Sequence, residues 1–491
     1  MSALSRRHVL ALLFAAPAAI HALGDESTDW IPLFDGRSLD GWKTAGDARP
    51  FKVAGGEIIA QGGPGSLFYR GAVEQANFRN FEFSADVKLR PESKAAICFH
   101  TAPETSRTPA PGFQVLLAND YHGPNGFVLR SKTGSLVGVR NVYKQLVPDE
   151  DWFTVNILVR QKQAQVRLNN MLVVDYVEPE DAFSANPDFA CRFDRGTFAL
   201  QALDAQNPTA FRNLRARPLP DSIAQLTNEK PEVDEVYREI IRLGAENYPV
   251  VDYHTHLKGG LTAEQAVANS RRVGIGYGIA INCGIKEPVR DDAGLREYLQ
   301  SMQDQPCYVA MQGEGREWTT TASPESFARF DYIFTDAMTF TDDTGKRMRT
   351  WIPEEIGVVG DRQEFMEMLV KRIEGVMREP IDIYANATYI PDQMAAEYDA
   401  LWTPERMQRV IDAALKNDVA IEINNRRGIP SAAFIKRAKA AGCKFSFGTN
   451  NAAADLGRLE YPIRMVRECG LAWADIFVPR PDGKKPIQLR T

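Results

Sequence analysis

The spacing of apolar residues changes once along this chain, and that change limits the possible folds more than any single motif does. From Trp30 to about Pro220, apolar and polar residues alternate along short segments such as "FEFSADVKL" (81–89) and "WFTVNILVR" (152–160). Gly, Pro and Asn separate these segments, and no long stretch has helical spacing. Such alternation is typical of antiparallel strands that bury one face. The first half is therefore predicted to be an all-β sandwich.

Beyond the Pro- and charge-rich connector "ARPLPDSIAQLTNEKPEVDEVY", apolar strands alternate with helical segments. Thr262 with Gln265 forms a capping box, which predicts a helix start. Ser323 and Thr403 each precede a proline, as a cap does, and Gly442 is placed to end a helix. The seven predicted strands are "YPVVDY" (248–253), "GYGIAIN" (276–282), "CYVAMQG" (307–313), "DYIFTDAM" (331–338), "IDIYANA" (381–387), "VAIEIN" (419–424) and "KFSFGTN" (444–450). Seven repeats favour a closed, TIM-like α/β barrel over an open sheet.

The first residues are predicted to be an export signal. "MSALSRRHVLALLFAAPAAIHALG" joins a charged start, an apolar stretch and small residues before a cleavage point after Ala22. Arg6-Arg7 resembles a twin-arginine signal, with a general secretory signal or an uncleaved membrane anchor as alternatives. The protein is therefore expected in the periplasm or outside the cell. The predicted parts are the signal (1–23), the sandwich (24–220), a linker (221–245) and the barrel (246–491).

Charge and cysteine content exclude some classes of partner and site. The formal net charge of −6 offers no basic excess that could bind a nucleic acid. No later segment has the ~18 uninterrupted apolar residues of a membrane span. The 6 cysteines are scattered without CxxC spacing, so we expect buried free thiols rather than zinc ligands or disulfides. The oligomeric state stays open.

Two histidines follow the first barrel strand, in "DYHTHLKGG" (252–260). His254 and His256 are two residues apart, so their rings point to the same face and can reach one cation. A carboxylate from the third strand, Glu314, would make three protein ligands and leave room for a water. The alternative is that both rings only form hydrogen bonds in the barrel mouth.

Polar side chains also follow the other barrel strands, where the active sites of barrel enzymes lie. Asp336 follows the fourth strand and, together with Glu314, is a candidate catalytic residue. The predicted substrate-binding residues of the barrel are Arg316, Asn386, Asn424 and Asn450.

The motifs "VDYHTH", "MQGEG", "IEINNR" and "FGTNN" resemble, in order, those of the PHP (polymerase and histidinol phosphatase) superfamily, seven-stranded barrels of metal-dependent phosphoesterases. The resemblance covers about residues 246–480 and implies His254, His256 and Glu314 as metal ligands. Histidines that the superfamily has after later strands are replaced, for example by Asn386-Ala387. The resemblance thus implies at most one divalent ion, zinc or manganese, assisted by Asp336.

The sandwich has its own resemblance. "DWIPLFDGRSLDGW" and the segments that follow, over residues 30–219, resemble the bacterial 3-keto-disaccharide hydrolase domain, a concanavalin-like jelly roll. The resemblance implies cleavage of glycosides oxidised at C3, where the ketone acidifies the neighbouring C–H and a base removes that proton. Several of the charged residues expected at this family's site are replaced in this chain.

His100 is the candidate base of the sandwich, although a strand-end histidine bonded to a neighbour is an equal alternative. The predicted substrate-binding residues of the sandwich are Gln114, Asn119, His122, Lys144 and Asp204.

We therefore expect an exported carbohydrate-active hydrolase that acts on a 3-keto-glycoside or a related disaccharide, with one metal ion in the barrel. A second hypothesis makes the barrel the only enzyme, a phosphoesterase- or amidohydrolase-like metal hydrolase carrying a sugar-binding sandwich. A third treats both sites as degenerate and the protein as a secreted binding or scaffold protein. The expected partner is a carbohydrate or a sugar-derived small molecule.

Overall fold

The structure, a computed structural model, describes residues 30–45, 50–103, 112–187, 191–342 and 344–490. The predicted export signal lies outside these residues. Within them, no helix is both long enough and apolar enough to cross a membrane.

The first half is a sandwich of two antiparallel sheets. Its strands are β1 (Ile31–Pro32), β2 (Trp42–Ala45), β3 (Phe51–Ala54), β4 (Glu57–Ala60), β5 (Gly65–Tyr69), β6 (Phe81–Lys88), β7 (Ala95–Thr101), β8 (Phe113–Leu117), β9 (Trp152–Arg160), β10 (Gln163–Leu168), β11 (Met171–Val177), β12 (Thr197–Ala202) and β13 (Thr209–Pro218). One sheet has the order β11-β10-β9-β6-β13-β4-β3, with β1 beside β13, and the other has the order β2-β5-β12-β7-β8. The predicted sandwich is confirmed.

The alternating pattern explains the sandwich core. Phe81 and Phe83 of β6 are fully buried, and so are Val155 and Ile157 of the neighbouring β9. Between them in sequence stand less buried polar residues such as Glu82. Because successive side chains of a strand point to opposite faces, the apolar residues of both strands reach the same core.

The second half contains a closed barrel of seven parallel strands, in agreement with the prediction. The barrel strands are β14 (Val251–Thr255), β15 (Gly276–Cys283), β16 (Tyr308–Gly313), β17 (Tyr332–Thr335), β20 (Ile383–Tyr384), β21 (Ala420–Asn424) and β22 (Phe445–Gly448), and a hairpin of β18 (Thr339–Thr341) and β19 (Arg347–Arg349) follows β17. The helices are α1 (Glu235–Ala245), α2 (Ala263–Val273), α3 (Asp292–Ser301), α4 (Pro324–Phe327), α5 (Pro353–Ile356), α6 (Arg362–Val376), α7 (Tyr398–Leu401), α8 (Pro404–Lys416), α9 (Ala432–Ala441), α10 (Glu460–Cys469) and α11 (Pro486–Leu489). At least one helix stands between each pair of successive barrel strands.

Helix boundaries in the barrel follow the predicted local signals. Thr262 and Gln265 form the capping box of α2. The hydroxyl of Thr403 accepts the Arg406 N–H at the start of α8, and Gly442 ends α9 in the left-handed conformation. These contacts lie within a few residues in sequence, so the local pattern was sufficient to predict them.

Half of the predicted linker (221–245) is helix. Asp234 accepts the N–H of Tyr237 and caps α1, whose residues Ile240 and Leu243 are buried in the barrel core. The predicted domain boundary at residue 246 therefore lies between α1 and the barrel into which α1 packs.

The sandwich docks on the end of the barrel where the strands begin. Lys144 forms an ion pair with Asp331, which immediately precedes β17, at 2.8 Å. The hydroxyl of Tyr308, at the start of β16, donates to the Tyr143 carbonyl at 2.6 Å. Asn247, before β14, exchanges two hydrogen bonds with the backbone of residues 128 and 130. The carboxyl ends of the barrel strands therefore lie at the end opposite to the sandwich.

Candidate active site at the carboxyl ends of the barrel strands

A buried histidine–carboxylate pair lies at the centre of the site. His254 Nδ1 is 2.6 Å from Glu422 Oε1, which joins β14 to β21, and both side chains are almost fully buried. Because a carboxylate only accepts, Nδ1 carries the proton, and His254 Nε2 is left buried without a hydrogen-bond partner. Gly448 of the adjacent strand makes room for the pair, since a Cβ there would collide with Glu422 Oε1.

His256 is held in the same tautomer. Its Nδ1 donates to the Ala280 carbonyl at 3.0 Å, so Nε2 is free of a proton. The two imidazole centroids are 5.4 Å apart. Burial, with the nearby His254 and Lys258, holds the pKa of His256 well below its usual range. His256 is therefore held as a neutral ring with an unprotonated Nε2, and the Nε2 of His254 lies nearby without a hydrogen-bond partner.

Glu314 and Asp336 form a second, carboxylic part of the site. Glu314 accepts hydrogen bonds from Gln312 at 2.9 Å and from Asn282 at 3.2 Å. Burial raises the pKa of Glu314 to about 8, and the negative charge of Asp336 adds to this effect. Burial also raises the pKa of Asp336. Two neighbouring buried carboxyls oppose each other's ionisation, so the pair retains a proton near neutral pH.

Asn386 connects the carboxyl groups through its amide. Its Nδ2 donates to Asp336 Oδ2 at 2.8 Å, and its backbone N–H donates to Glu422. The Asn386 Oδ1 accepts from Asn450 at 2.8 Å and from Asn424 at 3.1 Å. The structure thus brings together the three predicted asparagines, Asp336 and Glu422 in one network.

Ionisation of Glu422 is favoured by this network. Burial opposes the charged form, but His254 and the hydrogen bonds from Asn386 and Asn424 outweigh it, and the pKa of Glu422 is lowered. A carboxylate stabilised in this way keeps the His254 tautomer constant.

Two cationic side chains border the site. The Arg316 guanidinium donates to the Asp336 carbonyl at 2.8 Å and to Glu379 at 2.9 Å. Lys258 Nζ donates to the Asn451 carbonyl at 3.0 Å, and burial lowers the pKa of this amine. Arg316 forms its ion pair with Glu379, and its charge offsets only part of the effect of burial on the pKa of Asp336.

The imidazole pair fits a divalent cation, whereas the predicted third ligand is not assembled with it. In metal sites, ligating histidines usually donate their other N–H to a carboxylate or a carbonyl, as His254 and His256 do. The described part of the chain nevertheless holds no group of three or more His, Cys, Asp or Glu placed to hold a metal ion. The carboxylate of Glu314 is instead occupied by amide and hydroxyl donors. The three-ligand metal site stays a prediction.

The structure places His100 among aromatic rings of the sandwich with both ring nitrogens in use. Its Nε2 donates to the Arg79 carbonyl at 2.9 Å, and its Nδ1 accepts the Asp194 N–H at 3.4 Å. Burial lowers the pKa of His100 to about 4. These contacts match the alternative reading, a strand-end histidine bonded to its neighbours.

The other predicted residues of the sandwich do not form one site. Asn119 is buried and bonded to Asp149, and Lys144 lies in the domain interface. Asp204 accepts two backbone N–H groups of its own turn. His122 is half exposed beside Asp120, and Gln114 lies on β8 with its Nε2 buried and unpartnered. Phe68, Ala96, Cys98 and Ala199 of the five-stranded sheet form a small buried apolar cluster of their own.

Glu422 is a central residue of the site that was not among the predicted site residues. The signal for it was present, because Glu422 stands at the end of an apolar strand, "VAIEIN", where a charged residue has no place in a core. Sequence alone could not reveal that its partner is His254, on a strand 168 residues away.

Comparison with known proteins gives a family match for the sandwich region. Residues 29–217 match the model of the 3-keto-alpha-glucoside-1,2-lyase-like domain. No curated protein matches the chain. Among solved structures, a candidate glycosyl hydrolase from Parabacteroides distasonis is 20% identical with a TM-score of 0.34, over 39% of this chain and 94% of that chain. A carbohydrate-binding module from Bacillus subtilis is 12% identical with a TM-score of 0.25, over 36% of this chain and 95% of that chain. Similarities at these TM-scores do not identify a function.

Proposed function

We propose that the protein is an exported carbohydrate-active hydrolase whose catalytic groups lie in the barrel mouth, and that the sandwich recognises sugar. The observation that carries the proposal is the buried His254–Glu422 pair, which leaves an imidazole nitrogen without a partner beside two carboxyls of raised pKa. Perturbed ionisable groups gathered at the carboxyl ends of barrel strands are typical of active sites. The PHP-like assignment of the barrel belongs to the same proposal.

The substrate class comes from the sandwich. Its match to the 3-keto-alpha-glucoside-1,2-lyase-like domain supports a glycoside oxidised at C3, or a related disaccharide, as substrate. His100, which was the candidate base of that domain, has both ring nitrogens engaged. We therefore assign bond cleavage to the barrel.

Proton transfer in the proposed reaction falls to Asp336. Its carboxyl lies beside Glu314, and burial raises its pKa, so that it holds a proton more readily than an exposed aspartate does. The amide of Asn386 donates to Asp336 Oδ2 at 2.8 Å and the Met338 N–H donates to Oδ1 at 2.9 Å, and together they fix the orientation of the Asp336 carboxyl. Arg316, which donates to the backbone carbonyl of the same residue, limits its movement.

A single divalent cation, zinc or manganese, is part of the proposal. Nε2 of His254 and Nε2 of His256 would hold it, with Glu314 as the proposed third ligand. When bound, such an ion supplies Lewis acidity and lowers the pKa of a water. Two adjacent carboxyls whose pKa values are raised by burial support cation binding, because a bound ion would favour the ionised form of both.

The metal content of the purified protein tests the site directly. We expect about one divalent ion per chain in the wild type and in His122→Ala, a control histidine on the exposed surface of the sandwich. His254→Ala and His256→Ala should each hold less than about a tenth of that amount, because each removes one of few ligands. Equal metal content in all four proteins would refute the site.

Activity on a chromogenic 3-keto-α-glucoside tests which domain is catalytic. We expect cleavage by the wild type, at least about a hundredfold loss in Asp336→Asn and less than about a threefold loss in His100→Asn. Cleavage that persists after chelation and in Asp336→Asn but disappears in His100→Asn would move catalysis to the sandwich. No cleavage of any 3-keto-glycoside would refute the proposed substrate class.

A further inference from the structure

A cavity of about 540 Å³ lies between the sandwich and the barrel, at the end of the barrel opposite to the candidate active site. The sandwich contributes Gln114 of β8 and Phe127, and the barrel contributes the residues that end α1 together with Trp473. This volume is within the range of small-molecule sites, which is roughly 300–1,000 Å³. Neither domain alone encloses the cavity.

One polar group in the wall lacks a partner. The Gln114 Nε2 is buried and makes no hydrogen bond, although a buried amide N–H without an acceptor costs about 1–3 kcal/mol. Gln114 lines the cavity, so a rotation of its side chain that turns Nε2 toward the cavity would let a ligand oxygen supply the missing acceptor.

Aromatic rings form much of the remaining wall. Phe127 and Trp473 meet edge to face with centroids 5.7 Å apart, and Tyr176 and Phe183 also line the cavity. The Arg130 guanidinium lies 5.0 Å from the Trp473 ring centroid and orients that ring. Aromatic faces together with a few amide groups suit a ligand that has both C–H faces and hydroxyl groups.

The charges in the wall do not require a charged ligand. The carboxylate of Glu246 is bound by Arg467 at 2.7 and 3.1 Å. Arg192, which is exposed, donates to the Cys191 carbonyl at 2.8 Å. A ligand of neutral charge therefore leaves no buried ion uncompensated.

We propose that this interdomain cavity binds a neutral sugar of one or two hexose units, with Gln114 as hydrogen-bond donor and Trp473 as stacking platform. The site needs both domains, because Gln114 belongs to the sandwich and Trp473 to the barrel. It rests on the part of the proposed function that assigns sugar recognition to the sandwich, but not on catalysis, since the active-site histidines lie at the opposite end of the barrel.

Calorimetric titration of the purified protein with maltose, cellobiose and trehalose tests the proposal. We expect saturable binding of at least one of them, with a Kd at or below about 10 mM. Gln114→Leu should raise that Kd about fivefold, the loss of one hydrogen bond, and Trp473→Ala about tenfold or more. Trp473→Phe, which keeps an aromatic ring, should fall between Trp473→Ala and the wild type.

Matched controls separate the cavity from other sites. Gln201→Leu removes an amide on the same sheet, and Trp351→Ala removes an exposed indole; neither residue lines the cavity, so neither should change the Kd. His254→Ala should bind as the wild type does, even if it is inactive.

Four results would overturn the proposal. The first is that no neutral sugar of the panel binds. The second is that Gln114→Leu and Trp473→Phe, shown to be folded by circular dichroism, bind with the Kd of the wild type. The third is that His254→Ala abolishes binding, which would place the sugar in the barrel mouth. Digalacturonate that binds about tenfold more tightly than the neutral sugars would assign the cavity to acidic sugars and would also refute the proposed ligand class.

Discussion

The ionisation of the site depends on single contacts between buried side chains. Moving a carboxylate into the protein interior costs several kcal/mol unless partners compensate for it. Glu422 has such partners in His254, Asn386 and Asn424, and its pKa is lowered. Glu314 accepts hydrogen bonds from neutral donors, and burial with the negative charges of Asp336 and Glu287 outweighs the effect of Arg347, so its pKa is raised to about 8. The pKa values of two glutamates in one site are therefore shifted in opposite directions.

The space for the His254–Glu422 pair leads to a prediction at Gly448. We expect Gly448→Ala to lower the free energy of unfolding by about 1–3 kcal/mol, because the new Cβ would lie 2.8 Å from His254 Cβ and collide with Glu422. Urea unfolding measures the effect. Gly360→Ala, where a Cβ meets nothing within 4 Å, is the matched control and should change little. Equal changes in the two variants would contradict the tight packing around the pair.

His100 predicts a pH dependence of stability. The folded state holds His100 neutral down to about pH 4, whereas the unfolded chain protonates a histidine below about pH 6.5. Unfolding therefore takes up a proton between these values, and the folded state loses stability as the pH falls from 6.5 to about 4. The difference between the pKa of His100 in the folded and in the unfolded state corresponds to roughly 3 kcal/mol in the free energy of unfolding.

Urea unfolding at pH 7 and pH 4 checks this prediction. His100→Asn should lose roughly 3 kcal/mol less than the wild type over that range, since it has no imidazole to protonate. His122→Asn, at a half-exposed position, should follow the wild type. A parallel pH dependence in all three proteins would rule out a buried neutral His100.

At the scale of elements, the first barrel strand organises both the site and its support. Asp252, His254 and His256 lie on one side of β14 because they alternate along the strand. Asp252 accepts the Thr449 N–H at 2.8 Å and the Gly457 N–H at 3.1 Å, and so ties β14 to the loop after β22. His254 lies two residues after Asp252, and His256 lies two residues after His254, so both rings are on the same side as Asp252. One strand thus supplies a structural carboxylate and two candidate ligands.

Helix α1 yields a prediction about the connector between the domains. Leu243 is fully buried in the barrel core, whereas Leu226, in the part of the connector without regular structure, is 44% exposed. We expect Leu243→Ala to cost about 2–5 kcal/mol in the free energy of unfolding, and Leu226→Ala less than about 0.5 kcal/mol. Thermal unfolding of the two variants makes the comparison. Similar small losses would mean that α1 acts as a linker.

At the scale of the whole molecule, the two domains form one continuous structure. Tyr143 of the sandwich belongs to the buried cluster of the barrel. The sandwich contacts the barrel at the end where the barrel strands begin, whereas the candidate active site lies at their carboxyl ends. The two are therefore at opposite ends of the barrel. One small substrate therefore cannot touch both, which favours a division between sugar recognition and catalysis.

The two domains should unfold together, and we expect this coupling between them to depend on Arg140. Its buried guanidinium donates to the carbonyls of Arg271 at 2.8 Å and of Arg272 at 2.7 Å, at the C-terminal end of α2. A cation there satisfies carbonyl groups that the helix leaves free and interacts well with its dipole. Arg140→Ala should lower the melting temperature and split one calorimetric transition into two. Arg37→Ala, at an exposed position, should retain a single transition. A single unshifted transition in Arg140→Ala would show that the domains are coupled through other contacts.

The sequence by itself determined the two architectures and most element boundaries. These features depend on residues close together in the chain, so a local sequence pattern can predict them. Examples are the alternation along "FEFSADVKL", the seven apolar strands and helix caps such as Thr262. It also identified the strand ends that carry polar residues, among them His254, Asp336 and Asn386.

Only the tertiary structure decided which of these side chains meet. It paired His254 with Glu422, engaged both nitrogens of His100 and placed Lys144 in the domain interface. It also turned half of the predicted linker into α1 and set the sandwich on the far end of the barrel. These outcomes depend on contacts between residues far apart in sequence, whose energies follow from burial and distance. Neither quantity exists until the chain has folded.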